Sequence, residues 1–170
     1  MGDPKKSRRT WQGPRHPWKK DNLVKELGLL GKYGLRNKRE LWIANSVLKS
    51  YRNQASSILA LQESIRAEKE SGLVKRLAKQ GLLNEEAVLD NILGLNVDDI
   101  LERRLQTVIM KLRLATTPYQ ARQLITHGHI SIGDRRVASP GYLVSRDEEQ
   151  GIRSAITVAA APEPATAKGA

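Results

Sequence analysis

A chain of 170 residues has room for one domain of ordinary size, or two small ones, around a modest core. Its lysines and arginines outnumber its acids 29 to 18, a net charge of +11 that calls for a polyanionic partner, either nucleic acid or an acidic membrane surface. The absence of cysteine excludes disulfides, thiolate zinc sites and a cysteine nucleophile, and no apolar run approaches the ~18 residues of a membrane span.

The charge is unevenly placed. Residues 1–20 carry seven basic and one acidic side chain, and residues 21–54 seven and three. Residues 55–96 and 146–170 are close to neutral, while residues 97–145 carry seven basic and four acidic groups. Two positive blocks around a neutral middle predict two polyanion-facing surfaces.

Residues 1–20 have neither helical nor strand periodicity. Three prolines, two glycines and many charges predict an extended arm that buries no core. Its cations Lys5, Lys6, Arg8, Arg9, Arg15, Lys19 and Lys20, with His16, alternate with Trp11 and Trp18. That mixture suits a partner offering phosphates and stackable bases. The same basic start has no signal-peptide core, so a cytoplasmic protein is expected.

A short helix is predicted over residues 21–30. Asn37 then caps a longer one, with Glu40 at its third position. Leu41, Ala44, Val47, Leu48, Tyr51, Ala55, Ile58 and Leu59 recur at three and four and form its apolar stripe. Lys38, Lys49 and Arg52 lie off the stripe, on either a solvated face or an RNA-binding one. Residues 61–96 read as two or three short helices punctuated by Gly72, Gly81 and Gly94. The last two fit the left-handed position past a helix end. Leu73, Leu77, Leu82, Leu83, Val88, Leu89, Ile92 and Leu93 supply a core there.

The stretch NVDDILERRLQTVIMKLRL predicts one helix capped at Asn96, with Asp98 and Asp99 at the positive end of its dipole. Leu101, Leu105, Val108, Ile109 and Leu112 form its buried stripe, and Arg104 and Lys111, seven apart, share the other face. Thr117-Pro118 opens the next helix, with threonine as cap and proline first. Ala121, Leu124 and Ile125 point inward, while Gln120, Arg122 and Gln123 remain for the surface. The period then changes to two. HISIGDRRV predicts a hairpin turning at Gly133-Asp134, a type II′ turn with glycine first, and pairing Ile130 with Val137. Residues 142–144 read as a third strand and 152–158 as a possible fourth, before an Ala/Pro-rich tail at 159–170.

No catalytic constellation accompanies these elements. His127 and His129 flank a helix end without cysteine near them, so no metal site is expected. No phosphate-binding glycine loop or nucleophile elbow is present. A non-enzyme without cofactor is expected.

The stretch from Arg103 to Val144, and its ARQLI-x-HGH-x-x-x-x-x-x-RV core in particular, resembles the RNA-binding module named after the fourth protein of the small ribosomal subunit. The module also occurs in RNA-modifying and aminoacylating enzymes. However, HPW, KYGLRNKRELW and the following long helix resemble the archaeal form of the ribosomal protein family itself, over roughly residues 5–158. The cysteine-rich knuckle of some bacterial members is missing here, and the extended arm takes its place. The resemblance implies an α+β fold: an extended basic arm (1–20), a helical domain (21–96), a two-helix module with a small curved sheet (97–158) and a disordered tail. It implies a structural constituent of the small subunit that binds the 5′ domain of 16S ribosomal RNA directly and nucleates the subunit body. Further expected partners are neighbouring ribosomal proteins and messenger RNA, with an influence on decoding accuracy, and neither membrane nor small-molecule substrate is expected. Carried onto this chain, the RNA contacts of the module are Arg103, Arg104, Lys111, Arg113, Gln120, Arg122, Gln123, His127 and His129. In the first basic block Tyr33, Arg36, Asn37, Lys38, Arg39, Lys49 and Arg52 join the arm residues.

Overall fold

A computed structural model describes residues 9–84 and 86–156. Lys5, Lys6 and Arg8, the end of the expected last strand and the tail at 159–170 lie outside the described residues. Contacts divide the chain into two compact units, one of residues up to 78 with 82–101, the other of residues 79–81 with those from 102 onward.

The first unit is helical. Helix α1 (Lys20–Tyr33) is longer than the expected span, and α2 (Lys38–Leu59) starts where Asn37 accepts the Glu40 N–H at 3.2 Å. Leu41, Ala44, Leu48, Ala55 and Ile58 are buried along α2, which packs against α1 and against α4 (Leu89–Gly94). Leu59, expected on the stripe, is exposed. Helix α3 (Glu63–Lys79) runs straight through Gly72, where a break was expected. One interior glycine costs only about 1 kcal/mol against alanine, and burial of Leu73, Val74, Leu77 and Ala78 more than offsets it. Gly94 is the last residue of α4 and is not left-handed, contrary to expectation, whereas Gly81 is, at φ 73°. Val88, assigned to the core, is exposed in the extended residue before α4.

The single helix expected from Asn96 is two, α5 (Val97–Glu102) and α6 (Leu105–Lys111). At the start of α5, Asp99 reaches back to accept the Asn96 N–H at 2.7 Å. Between the helices Arg104 is extended (φ −69°, ψ 141°) and its backbone bridges to Leu143. Leu105 N–H donates to the Tyr142 carbonyl at 2.7 Å, and Val144 N–H to the Arg103 carbonyl at 2.9 Å. Leucines at 101 and 105 keep helical spacing across the break, so periodicity does not reveal it; pairing with residues 142–144 does. The expected strand at 142–144 therefore joins the break rather than the sheet. Helix α6 closes with crossed bonds, Arg113 N–H to Met110 O and Leu114 N–H to Ile109 O. Leu112 is left 41% exposed instead of buried, and Leu114 packs on the core.

Helix α7 (Pro118–Thr126) is capped by Thr117, whose hydroxyl accepts the Gln120 N–H at 3.2 Å. Three antiparallel strands follow in the order β2-β1-β3: β1 (Ile130–Ile132), β2 (Arg135–Arg136) and β3 (Ile152–Ser154), with the short α8 (Arg146–Glu149) before the last. Gly133 sits at φ 57° in the two-residue β1–β2 turn and Asp134 does not share a positive φ, as a type II′ turn requires. Val137 N–H donates to Ile130 O at 3.1 Å, the expected pairing. Leu105, Val108, Ile109, Ala121, Leu124, Ile125, Ile130, Ile132, Val137 and Val144 make one core between the two helices and one face of the sheet.

Candidate nucleic-acid interface

In the first unit the chain preceding α1 lies against α2. The Trp11 ring packs on Trp42 with centroids 5.2 Å apart, and the Arg9 guanidinium covers Trp11 at 3.7 Å. Gln12 N–H donates to Ser46 Oγ at 3.0 Å, while Lys49 Nζ donates to Gln12 Oε1 at 3.3 Å. This corrects the expectation of an arm that contributes nothing to packing: Trp11 is an anchor. Trp42, held by its Nε1–H bond to Glu26 at 3.0 Å, is its platform and was not singled out from sequence. Only its position near a helix start opposite a tryptophan-bearing arm could have signalled it. The arm and α2 border a polar cleft of about 530 Å³, lined by Arg9, Trp11, Lys49 and Asn53 among others.

Further along, Arg15, His16, Lys19 and Lys20 are exposed, and Trp18 is 87% exposed. Arg36 and Arg39 are exposed at the start of α2, with Arg39 5.5 Å from the Trp11 ring. Asn37 is occupied as a cap, and Lys38 pairs with Glu26 at 2.9 Å. Two expected contacts are instead internal. Tyr33 is only 4% exposed, and its hydroxyl donates to Asp98 at 2.9 Å, beside Lys32 at 3.1 Å. The Lys32 hydrogen bond, then that of Tyr33, holds the Asp98 carboxyl below the usual carboxylate range. Arg52 is half-buried and donates to the Leu95 carbonyl at 2.6 Å, satisfying the chain just past α4.

In the second unit the module residues separate in the same way. The Arg103 side chain is 16% exposed, pairs with Glu149 at 3.0 Å and donates to the Val144 carbonyl at 2.9 Å. Arg104 is 5% exposed at the helix break. Both are structural cations, because the break between α5 and α6 turns them inward; Arg104 shares no outer face with Lys111. Gln120 accepts the Thr116 N–H at 2.9 Å, and Arg122, half-buried, donates to the buried Gln106 at 3.4 Å. Lys111 is exposed and pairs with Glu102 at 3.0 Å. Arg113 is exposed in the left-handed conformation (φ 58°), and Gln123 and His127 are exposed. The His127 and His129 rings stand 6.1 Å apart. Arg135, Arg136 and Arg153, exposed on the strands, were not singled out from sequence, although their place in the alternating segment or next to it was legible. Among the described residues no three His, Asp or Glu side chains come together as a metal site.

Comparison with known proteins agrees with this division. Residues 5–102 match the ribosomal protein S4/S9 N-terminal domain, and residues 103–149 match the S4 domain. The chain is 59% identical to small ribosomal subunit protein uS4 of Sulfurisphaera tokodaii, over 88% of this chain and 85% of the relative. It is 56% identical to that of Ignicoccus hospitalis, over 88% and 90%. The protein of Saccharolobus solfataricus is 58% identical, over 88% and 83%. With both halves of the fold matched in order, the chain belongs to the archaeal branch of the uS4 family, α+β ribosomal proteins that are structural rather than enzymatic.

Proposed function

We propose that this protein is a structural constituent of the small ribosomal subunit that binds 16S ribosomal RNA directly, in its 5′ domain, and nucleates the subunit body in the cytoplasm. The carrying observation is the number of cations that stay exposed once the internal ones are set aside, among them Arg9, Arg15, Lys19, Lys20, Arg36 and Arg39 in the first unit and Lys111, Arg113, Arg136 and Arg153 in the second. Exposed like charge on this scale is costly in isolation and favourable against phosphates. Trp18, almost fully exposed beside Lys19 and Lys20, offers a stacking face for an unpaired base. On this reading residues 1–20 act as the arm, 21–96 as a helical domain, 97–158 as the RNA-binding module and 159–170 as a tail. Neighbouring subunit proteins complete its surroundings. A place beside the channel by which messenger RNA enters, with an influence on decoding accuracy, belongs to the same reading.

Titration of a 16S 5′-domain transcript at several salt concentrations tests it. Each phosphate neutralised contributes ~0.7–0.9 to the slope of log affinity against log salt, so several contacts predict a slope of about −5 or steeper; a slope near zero refutes it. Cofractionation with small subunits through a high-salt gradient separates this role from that of a free-standing RNA-binding factor, which would be stripped off.

A further inference from the structure

The outer face of the three-stranded sheet carries a row of residues outside the RNA contacts that the resemblance implies. In the register of the sheet Ser131 of β1 stands directly opposite Arg136 of β2 on one side and opposite Arg153 of β3 on the other. Directly opposed residues share a face. Ile130 and Ile132 flank Ser131 and are buried in the core, so the row Arg136–Ser131–Arg153 lies on the side turned away from it. Alternation brings His129 to the same face, next to His127.

Both guanidiniums are exposed, and among the described residues neither makes an ion pair. The neighbouring arginine shows that this is not a general property of the strand. Arg135, on the opposite face, reaches the Tyr142 hydroxyl at 3.4 Å and lies 5.7 Å from its ring. The stem of Arg136 passes over Gly128, with its Cδ 3.1 Å from where a Cβ would stand there. That packing rests on the aliphatic stem and involves no acidic group that would neutralise the charge. Adjacent strands are ~4.8 Å apart, so the backbone positions that carry Arg136 and Arg153 stand about 10 Å apart across the middle strand. A hydroxyl lies between them, and no carboxylate belongs to the row.

We infer that this sheet face is a second RNA-backbone surface of the C-terminal unit, in which Arg136 and Arg153 each take a phosphate and Ser131 and His129 supply the hydrogen-bonding groups between them. It rests on the RNA-binding role proposed above and adds a contact surface to it. Planar guanidiniums grip phosphates bidentately, and an arrangement that reads no base edges gives positioning rather than sequence choice.

The test is filter titration of a 16S 5′-domain transcript across a salt series, using the full chain, Arg136→Gln/Arg153→Gln, and Arg136→Lys/Arg153→Lys. The glutamine pair should fold normally, judged by its melting curve, bind at least tenfold more weakly, and flatten the salt slope by about 1.5, the share of two phosphates. The lysine pair should keep the slope. A steep wild-type slope that the glutamine pair leaves unaltered overturns the inference while leaving the RNA-binding role standing. A flat wild-type slope overturns both. If the glutamine pair binds RNA normally but reconstituted particles lose another subunit protein, the face takes an acidic protein partner and the inference is likewise overturned.

Discussion

Replacing Arg103 by alanine separates a structural cation from an RNA contact. Its Nη1 donates to Glu149 at 3.0 Å and its Nη2 to the Val144 carbonyl at 2.9 Å, so one side chain joins the start of α6 to residues 144–149. Gly81, also in this unit, lies under the same group: a Cβ at Gly81 would stand 2.9 Å from the guanidinium carbon. A hydrogen bond to a charged group contributes about 1.5–3 kcal/mol and one between neutral groups about 1 kcal/mol. Glu149 is about one-third exposed and can rehydrate when orphaned, which discounts the ionic part. The net cost of Arg103→Ala is then about 2–4 kcal/mol, and at roughly 2–4 °C per kcal/mol the melting temperature should fall by roughly 5–15 °C. Arg103→Lys keeps the charge but not the fork, and should lose about half as much. Gly81→Ala should destabilise the wild-type protein through both the clash and the left-handed backbone. In the Arg103→Ala background only the backbone share, about 1 kcal/mol, should remain. Melting followed by helical circular dichroism reads the four variants against the wild type, with RNA titration well below the transition as the control. An unchanged melt with weakened RNA binding would refute the structural assignment.

Trp11→Ala should lower stability by about 1–2 kcal/mol through the lost packing on Trp42, whereas Trp18→Ala should melt as wild type and lose RNA affinity; the reverse pattern in a paired melt and titration would exchange their roles. Arg122→Ala, which removes a half-buried partner of Gln106, should cost both some stability and some RNA affinity, so a variant losing only one of the two defeats this assignment. Acid sensitivity follows from two carboxylates. Asp98 is held below its ordinary 3.8 chiefly by Lys32, and Glu148 below its ordinary 4.5 chiefly by the Tyr142 hydroxyl, helped by Ser145. A depressed carboxyl stabilises the fold above its unfolded value, and that stability is lost as pH falls through the folded one. Asp98→Asn and Glu148→Gln should therefore melt earlier than wild type at pH 7 and approach it below about pH 4; a gap that widens in acid would contradict the sign.

Local chemistry was enough for much of this protein. Caps at Asn37 and Thr117, the Gly133-Asp134 turn and the Ile130–Val137 pairing depend on residues close in sequence, whose side-chain and backbone preferences act before any tertiary contact forms. The positive blocks likewise follow from composition. Which cations face outward was decided elsewhere. Arg104 and Arg52 read as surface groups because their periodicity places them off an apolar stripe, and Arg103 and Tyr33 because the family resemblance sets them among RNA contacts, yet a long polar side chain can be drawn inward wherever a carbonyl or carboxylate from a distant segment awaits it. For Arg103 those acceptors are 41 and 46 residues away, for Arg52 43 and for Tyr33 65. The break between α5 and α6 has the same origin, since the helix loses turns there to backbone bonds from residues 142–144. Helical spacing cannot report a competitor that lies forty residues downstream, and only the closed fold brings the two together.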